Sequence, residues 1–228
     1  MKTSLLKDKS TTSFGFIASL VLLGICTTVS LANPQIVFSD SNFSQSQYVS
    51  GMSINFGNGG VGSTIFGTGK VTISSTVTPG SASYSGHSDI IMCKWAKYTP
   101  SNQGAISTIS WKQTVSCNEA QGQSGAVLFI FQGGKYFRSL VPVNVGSNGL
   151  VISKTGLTSN NFDEVVSGMP SASAPQGINF NSHPDFTSSG ATMQFGIGAG
   201  KSAGQGAPGS KASARLIVDD WEVKVVPQ

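Results

Sequence analysis

IIMCKWAKYT (residues 90–99), PSNQG (100–104) and AISTISWKQTVSC (105–117) are followed, after a short polar link, by AVLFIF (126–131), QGGK (132–135) and YFRSLVPVNV (136–145). The stretch reads as two β-hairpins in succession, because apolar and β-branched runs are separated by Gly, Pro and Asn punctuation. Side chains alternate faces along a strand, so Ile91, Cys93 and Trp95 share one face of the first outgoing strand. Ile109, Trp111, Val115 and Cys117 share the matching face of its return strand. Folding about Ala105 then sets Cys93 near Cys117 and Trp95 near Val115. In the second hairpin both alternating sets, Ala126/Leu128/Ile130 and Val127/Phe129/Phe131, are apolar. That pattern predicts a central strand covered on both sides, and Gly133-Gly134 suits the positive φ of a tight hairpin turn.

Working outward, QIVF (35–38), SINF (53–56), VTI (71–73) with TV (76–77), LVISKTGL (150–157), ATMQF (191–195) and ARLIVDDWEVKVV (214–226) read as further strands. In the last of these Ile217, Trp221, Val223 and Val225 fall on one face. Glycine-rich 57–69 and polar 169–189 read as loops, and NNFDEVV (160–166) as a helical turn capped by Ser159 or Asn161. Residues 196–213, rich in Gly, Ala and Ser, read as a mobile loop, since that composition buries little apolar surface. About ten to twelve short strands with hardly any helix predict an all-β fold, a two-sheet antiparallel jelly-roll β-sandwich.

The first 32 residues read as a leader outside that fold. Lys2, Lys7 and Lys9 form a basic start, residues 14–25 an apolar run, and Ser30-Leu31-Ala32 a small-residue cleavage site. This is the pattern of a secretory signal peptide, and its apolar run falls short of the roughly 20 residues of a bilayer span. The expected product is a single β-sandwich domain, 33–228, secreted to the periplasm or the exterior and not membrane-anchored. Residues 33–228 carry 11 basic and 9 acidic side chains, scattered singly, which excludes the basic footprint of a nucleic-acid binder. Cys93 and Cys117 are the cysteines that remain. In an oxidising compartment an isolated pair reads as a disulfide, which would close a loop worth roughly 3 kcal/mol; the alternative is two buried thiols.

VFSDSNFS (37–44) and LIVDDWEVKVV (216–226) resemble the first and last strands of concanavalin A-like and galactose-binding-like sandwiches, the jelly rolls of bacterial carbohydrate-binding modules. The middle, with Tyr98-Thr99-Pro100, AVLFIFQGGKYF (126–137) and Gly156-Leu157-Thr158, resembles a poorly characterised group of secreted bacterial sandwich proteins. The resemblance implies the fold. It also implies a structural Ca²⁺ held by an Asp of the last strand and oxygens of the first, here Asp220 and Asp40, for an ion that wants six to eight oxygens. Strand parity puts Asp219 on the Trp221 face and leaves Asp220 outward.

Catalytic patterns are missing. A glycosidase needs two carboxyl groups flanking the scissile bond, and the Glu-x-Asp-x-x-Glu triplet of sandwich glucanases does not occur; nor does a G-x-S-x-G nucleophile elbow. His87-Ser88-Asp89 and His183-Pro184-Asp185 pair an imidazole with a carboxylate, open to a transition metal or merely solvated in polar loops. Sugar binding asks for exposed rings beside polar groups. Trp95, Trp111 and Trp221 read as core, whereas Tyr98 and Tyr136 adjoin turns and, with Arg138 and Lys135, read as the rim of a groove. The sequence therefore points to a secreted non-catalytic module recognising an extracellular glycan or surface polymer. The alternative is a structural or interaction protein of the envelope or matrix, an adhesin or coat component, for which a long unpaired edge strand would speak.

Overall fold

Gly133 and Gly134, at φ +58° and +80°, turn the chain between two antiparallel strands as the second hairpin requires. The computed structural model describes residues 34–56, 60–78, 85–118, 123–140, 143–145, 149–166, 177–203 and 211–228; the expected leader lies outside them. In chain order the strands are β1 (Ile36–Asp40), β2 (Tyr48–Phe56), β3 (Gly60–Gly67), β4 (Lys70–Val77), β5 (Ser85–Tyr98), β6 (Ile106–Asn118), β7 (Gln123–Gln132) and β8 (Lys135–Ser139). They continue with β9 (Val143–Asn144), β10 (Leu150–Leu157), β11 (Phe162–Val165), β12 (Ile178–Asn179), β13 (Met193–Ala203) and β14 (Ala212–Pro227), and one helical turn, α1 (Pro100–Gln103), joins β5 to β6. One sheet runs β10-β6-β14-β4-β3 with β1 also on β14; the other runs β12-β11-β8-β7-β13-β5-β2 with β9 also on β7. The fold is an antiparallel two-sheet jelly-roll sandwich. Its core lies between the sheets, where Ile73, Ile91, Trp111, Leu128, Phe195, Leu216 and Trp221 pack together.

The first expected hairpin does not form. β5 pairs with β2 and β13, and β6 pairs with β10 and β14, so the two strands belong to opposite sheets. α1 carries the chain across the gap, with Pro100 at a position that suits its fixed φ and missing N–H. Tyr98 pins this corner, its hydroxyl donating to the carbonyls of Gln103 and Gly104 at 3.0 and 2.8 Å. Cys93 and Cys117 thus sit in different sheets, and the expected disulfide is absent; both are buried and unbridged.

Two irregularities reset strand parity. On β5, Gln194 opposes Lys97 but Gly196 opposes Met92, so β5 bulges between those positions. Ile91 and Cys93 point inward before the bulge, Ala96 and Tyr98 after it, and Trp95, expected in the core, turns out to 39 % exposure. On β14 a register shift falls between Val218 and Asp220. Leu216 and Val218 face the core before it and Trp221, Val223 and Val225 after it, so Ile217 lies on the opposite face from where unbroken alternation puts it. One extra residue is enough to flip a strand's faces.

Three loop and helix expectations are also corrected. Within 57–69, Gly60–Gly67 is a strand on β4, and the expected mobile loop 196–213 is strand as far as Ala203. Small residues serve there because neighbouring side chains close over them. Thr158 caps a 3-10 turn at Ser159–Asn161, after which Phe162–Val165 pairs with β8 as β11.

Candidate functional site

The second sheet has an outer face that is itself apolar. Leu128, Ile130, Phe137 and Phe162 point into the sandwich, which leaves Phe129, Phe131, Tyr136, Arg138, Asp163 and Val165 on the far side. Ile90, Met92, Phe129, Val165 and Ile178 form a second buried cluster on this face, with Phe131 and Tyr136 packed half-buried against it. The centre of the face is a lane of glycines on β13. A Cβ on Gly198 would fall inside the Phe129 ring, and one on Gly196 would strike Met92. The small residues that read as a loop are the floor on which large neighbours lie.

At one end of the lane an aromatic surface meets a polar one. Phe131 and Tyr136 oppose each other across β7 and β8, ring centroids 4.8 Å apart and planes tilted by 48°. One step along, Phe129 opposes Arg138, and Arg138 opposes Asp163. Asp163 is only 2 % exposed, and its Oδ2, like the Nε of Arg138, is buried with no hydrogen-bond partner among the described residues. Burial raises the Asp163 carboxyl above its ordinary range against the opposing pull of His183 and Arg138. Burial also lowers the Arg138 guanidinium, countered by Asp163. His183 donates from Nδ1 to the Phe162 carbonyl at 2.7 Å and lies 3.7 Å from Asp163 Oδ1. At the edge Glu164 accepts from Lys135 at 2.9 Å and from Asn179 at 3.3 Å.

Tyr136 and Arg138 share the outer face of β8, whereas Tyr98 does not join them. It is 0 % exposed in the core, with its hydroxyl spent on the α1 corner. Phe131 and Asp163 complete the site without having been singled out. The apolarity of both faces of β7 was the available signal for Phe131. Asp163 carried none, because it read as part of a helical turn. Trp95 is the exposed indole, but its ring sits against Phe38 and Trp221 at 6.2 and 6.3 Å on another part of the molecule's surface.

Asp40 and Asp220 do meet, lining with Ser39, Ser41, Asn42, Lys112 and Glu222 a cleft of about 300 Å³. Asp40 is committed to the chain, however. Oδ1 accepts the N–H groups of Asn42 and Phe43 at 2.7 and 3.1 Å, and Oδ2 accepts the Tyr48 hydroxyl at 2.9 Å. Lys112 brings a positive charge to the same cleft, and among the described residues no three His, Cys, Asp or Glu side chains converge as a metal site. This donor set fits a Ca²⁺ wanting six to eight oxygens poorly.

The two His-x-Asp motifs part company. His87 is not in a solvated loop but buried on β5, with Nδ1 2.8 Å from Asn55 Oδ1 and Nε2 3.1 Å from Asp89 Oδ1; Ser53 donates to the same Asp89 oxygen at 2.6 Å. Both ring nitrogens are engaged, so the cluster is a clamp between β2 and β5. Asp185 instead accepts from the backbone and hydroxyl of Thr187, away from His183.

No protein-family model matches the chain, and no curated protein matches it. Among solved structures it is similar to the CBM22-1 xylan-binding domain of Xyn10C from Paenibacillus barcinonensis, with 8% identity, 86% of this chain and 97% of that one covered, and a TM-score of 0.36. The family 11 carbohydrate-binding module of the cellulase Lic26A-Cel5E from Clostridium thermocellum gives 7% identity, 87% and 93% coverage and a TM-score of 0.36. A CBM4 structure gives 16% identity, 76% and 94% coverage and a TM-score of 0.33. At these scores the likenesses assign no ligand and no residue role to this chain.

Proposed function

We propose that the chain is an exported, non-catalytic binding module that takes an extracellular glycan on the outer face of its eight-stranded sheet, at Phe131, Tyr136, Arg138 and Asp163. The observation that carries this reading is the pairing of an aromatic surface with two buried polar atoms, Arg138 Nε and Asp163 Oδ2, that have no partner among the described residues. A pyranose offers C–H faces to rings and hydroxyls at its rim. A hydroxyl both donates and accepts, the complement of a guanidinium N–H beside a carboxylate oxygen. Apolar walls with a few convergent polar groups are the usual make-up of a small-ligand site. Leaving such groups unsatisfied costs stability of about 1–3 kcal/mol each, which a bound hydroxyl would relieve. The long uncharged edge strand β3 favours a second reading, an assembly role in the envelope or matrix, which does not compete for this face.

The test is a pull-down of the chain on a panel of soluble and insoluble polysaccharides, in Ca²⁺ and in EDTA. Saturable binding to one polymer, lost in Tyr136→Ala and in Arg138→Ala and equal in both buffers, is the expected result. Failure to bind any polymer would overturn the proposal.

A further inference from the structure

The sandwich protects most of its sheet edges. β12 is two residues long; β2 carries a register shift between Ser50 and Ser53; β10 carries Lys154 and a shift between Lys154 and Leu157. β1 is five residues long and ends in Asp40. Short, bulged or charged edges are the usual guards against strand-to-strand association. β3 has none of these. It is eight residues long, GVGSTIFG, without charge or proline, in unbroken register with β4 and paired among the described residues with β4 alone. Val61 and Ile65 stand 71 % and 61 % exposed on its outer face.

The backbone phase of this edge is determined. Gly67 opposes Lys70 across the two-residue turn at Thr68 and Gly69, so that pair is hydrogen-bonded and Ile65, Ser63 and Val61 also aim their N–H and C=O groups at β4. Gly62, Thr64 and Phe66 aim theirs at the open edge; the Gly60 N–H is already taken by Asn55 Oδ1 at 3.0 Å.

We propose that β3 is a self-association edge, on which a second copy of this chain adds its own β3 antiparallel across a two-fold axis at Ser63. In this register Gly62 hydrogen-bonds with Thr64 of the second copy, and Val61 faces Ile65 of the second copy in the closer, non-hydrogen-bonded pairs. Gly60 lies opposite Phe66 of the second copy, small against large. A two-fold contact must be complementary to itself, and this strand is: Val61 and Ile65 fall at equal distances on either side of Ser63, Phe66 meets the space left by Gly60, and the strand carries no charge to repel its copy. The six-stranded sheets of two molecules become one continuous sheet.

Sedimentation velocity of the chain from Asn33, which lies within one compact unit running from Ala32 to Gln228, tests this directly. The wild type sediments as a dimer that dissociates on dilution. Ser63→Lys and Ser63→Glu each place like charges across the axis and sediment as monomers with unchanged circular dichroism, and their equimolar mixture returns to dimer. A wild type that stays monomeric at the highest soluble concentration overturns the proposal, as does a dimer that persists in both single variants.

Discussion

Gly198→Ala is the substitution that most strictly examines how the outer face is built. The glycine sits on β13 with Phe129 of β7 folded over it, and a Cβ there would enter the ring. Phe129 is 1 % exposed and held by its neighbours in the outer cluster, so it has little room to withdraw. Overpacking of this kind costs about 1–3 kcal/mol. For a chain of this size each kcal/mol moves the melting temperature by roughly 2–4 °C, so a loss of about 2–12 °C is expected. The cost is specific to one neighbour, which a double-mutant cycle isolates. Phe129→Ala alone destabilises by about 3–5 kcal/mol, but adding Gly198→Ala to it costs almost nothing, because the clashing ring has gone. Urea unfolding followed by tryptophan fluorescence measures all four corners. Phe129 also lies beside Arg138, so Gly198→Ala is expected to weaken polysaccharide binding along with stability. Full additivity of the two substitutions, or a Gly198→Ala variant as stable as wild type, would refute the packing argument.

Other perturbations probe the polar clusters. Burial works to raise the Asp89 carboxyl, but hydrogen bonds from His87 and Ser53 outweigh it and hold the group below its usual range. Its folded-state pKa is thus below the unfolded one. The stabilisation is present above about pH 4 and lost as pH falls through the depressed value. Asp89→Asn should cost about 2 kcal/mol at pH 7, a deficit against wild type that shrinks towards pH 2–3 in urea titrations. Glu164, lowered by Ser182 and Lys135 against burial, acts in the same direction. Asp163, raised by burial, acts in the opposite one, its charge costing stability at neutral pH and less as pH falls through its raised value. Because Asp40 is occupied by Asn42, Phe43 and Tyr48, adding Ca²⁺ or EDTA should leave the melting temperature unchanged; a shift of several degrees in differential scanning fluorimetry would return the Asp40–Asp220 cleft to the list of ion sites. Asp40→Ala, by contrast, should destabilise in either buffer, since it frees two backbone N–H groups and the Tyr48 hydroxyl.

What was legible in the sequence was whatever depends on local alternation and turn chemistry. The β7–β8 hairpin is an example, because a Gly-Gly pair and two apolar faces act over a few residues. The sandwich class was legible for the same reason. Pairing between distant strands was not. Nothing local distinguishes a hairpin at Pro100–Gly104 from a corner that sends β6 to the other sheet, and the Cys93–Cys117 bridge and the exposed position of Tyr98 failed with that one choice, whereas the core position of Trp95 failed with the bulge on β5. Bulges add three unpaired residues on β5 and one on β14, odd numbers that reverse the faces and that composition does not announce. The glycines of β13 read as a loop because what makes them strand is the bulk of Phe129 and Met92, supplied by other strands. In the candidate site Tyr136 and Arg138 were within reach because both lie on the legible hairpin. Asp163 was not, since its role comes from lying opposite Arg138 across β8 and β11.

The proposed glycan lies on Phe131, Tyr136, Arg138 and Asp163. Backbone amide shifts in a ¹⁵N-labelled sample, followed as an oligosaccharide of the captured polymer is added, examine that surface residue by residue. Saturable shifts confined to β7, β8, β11 and the adjoining part of β13, abolished in Tyr136→Ala, are the expected result. Shifts gathered instead around Trp95 and β1, with β8 and β11 unmoved, would contradict it.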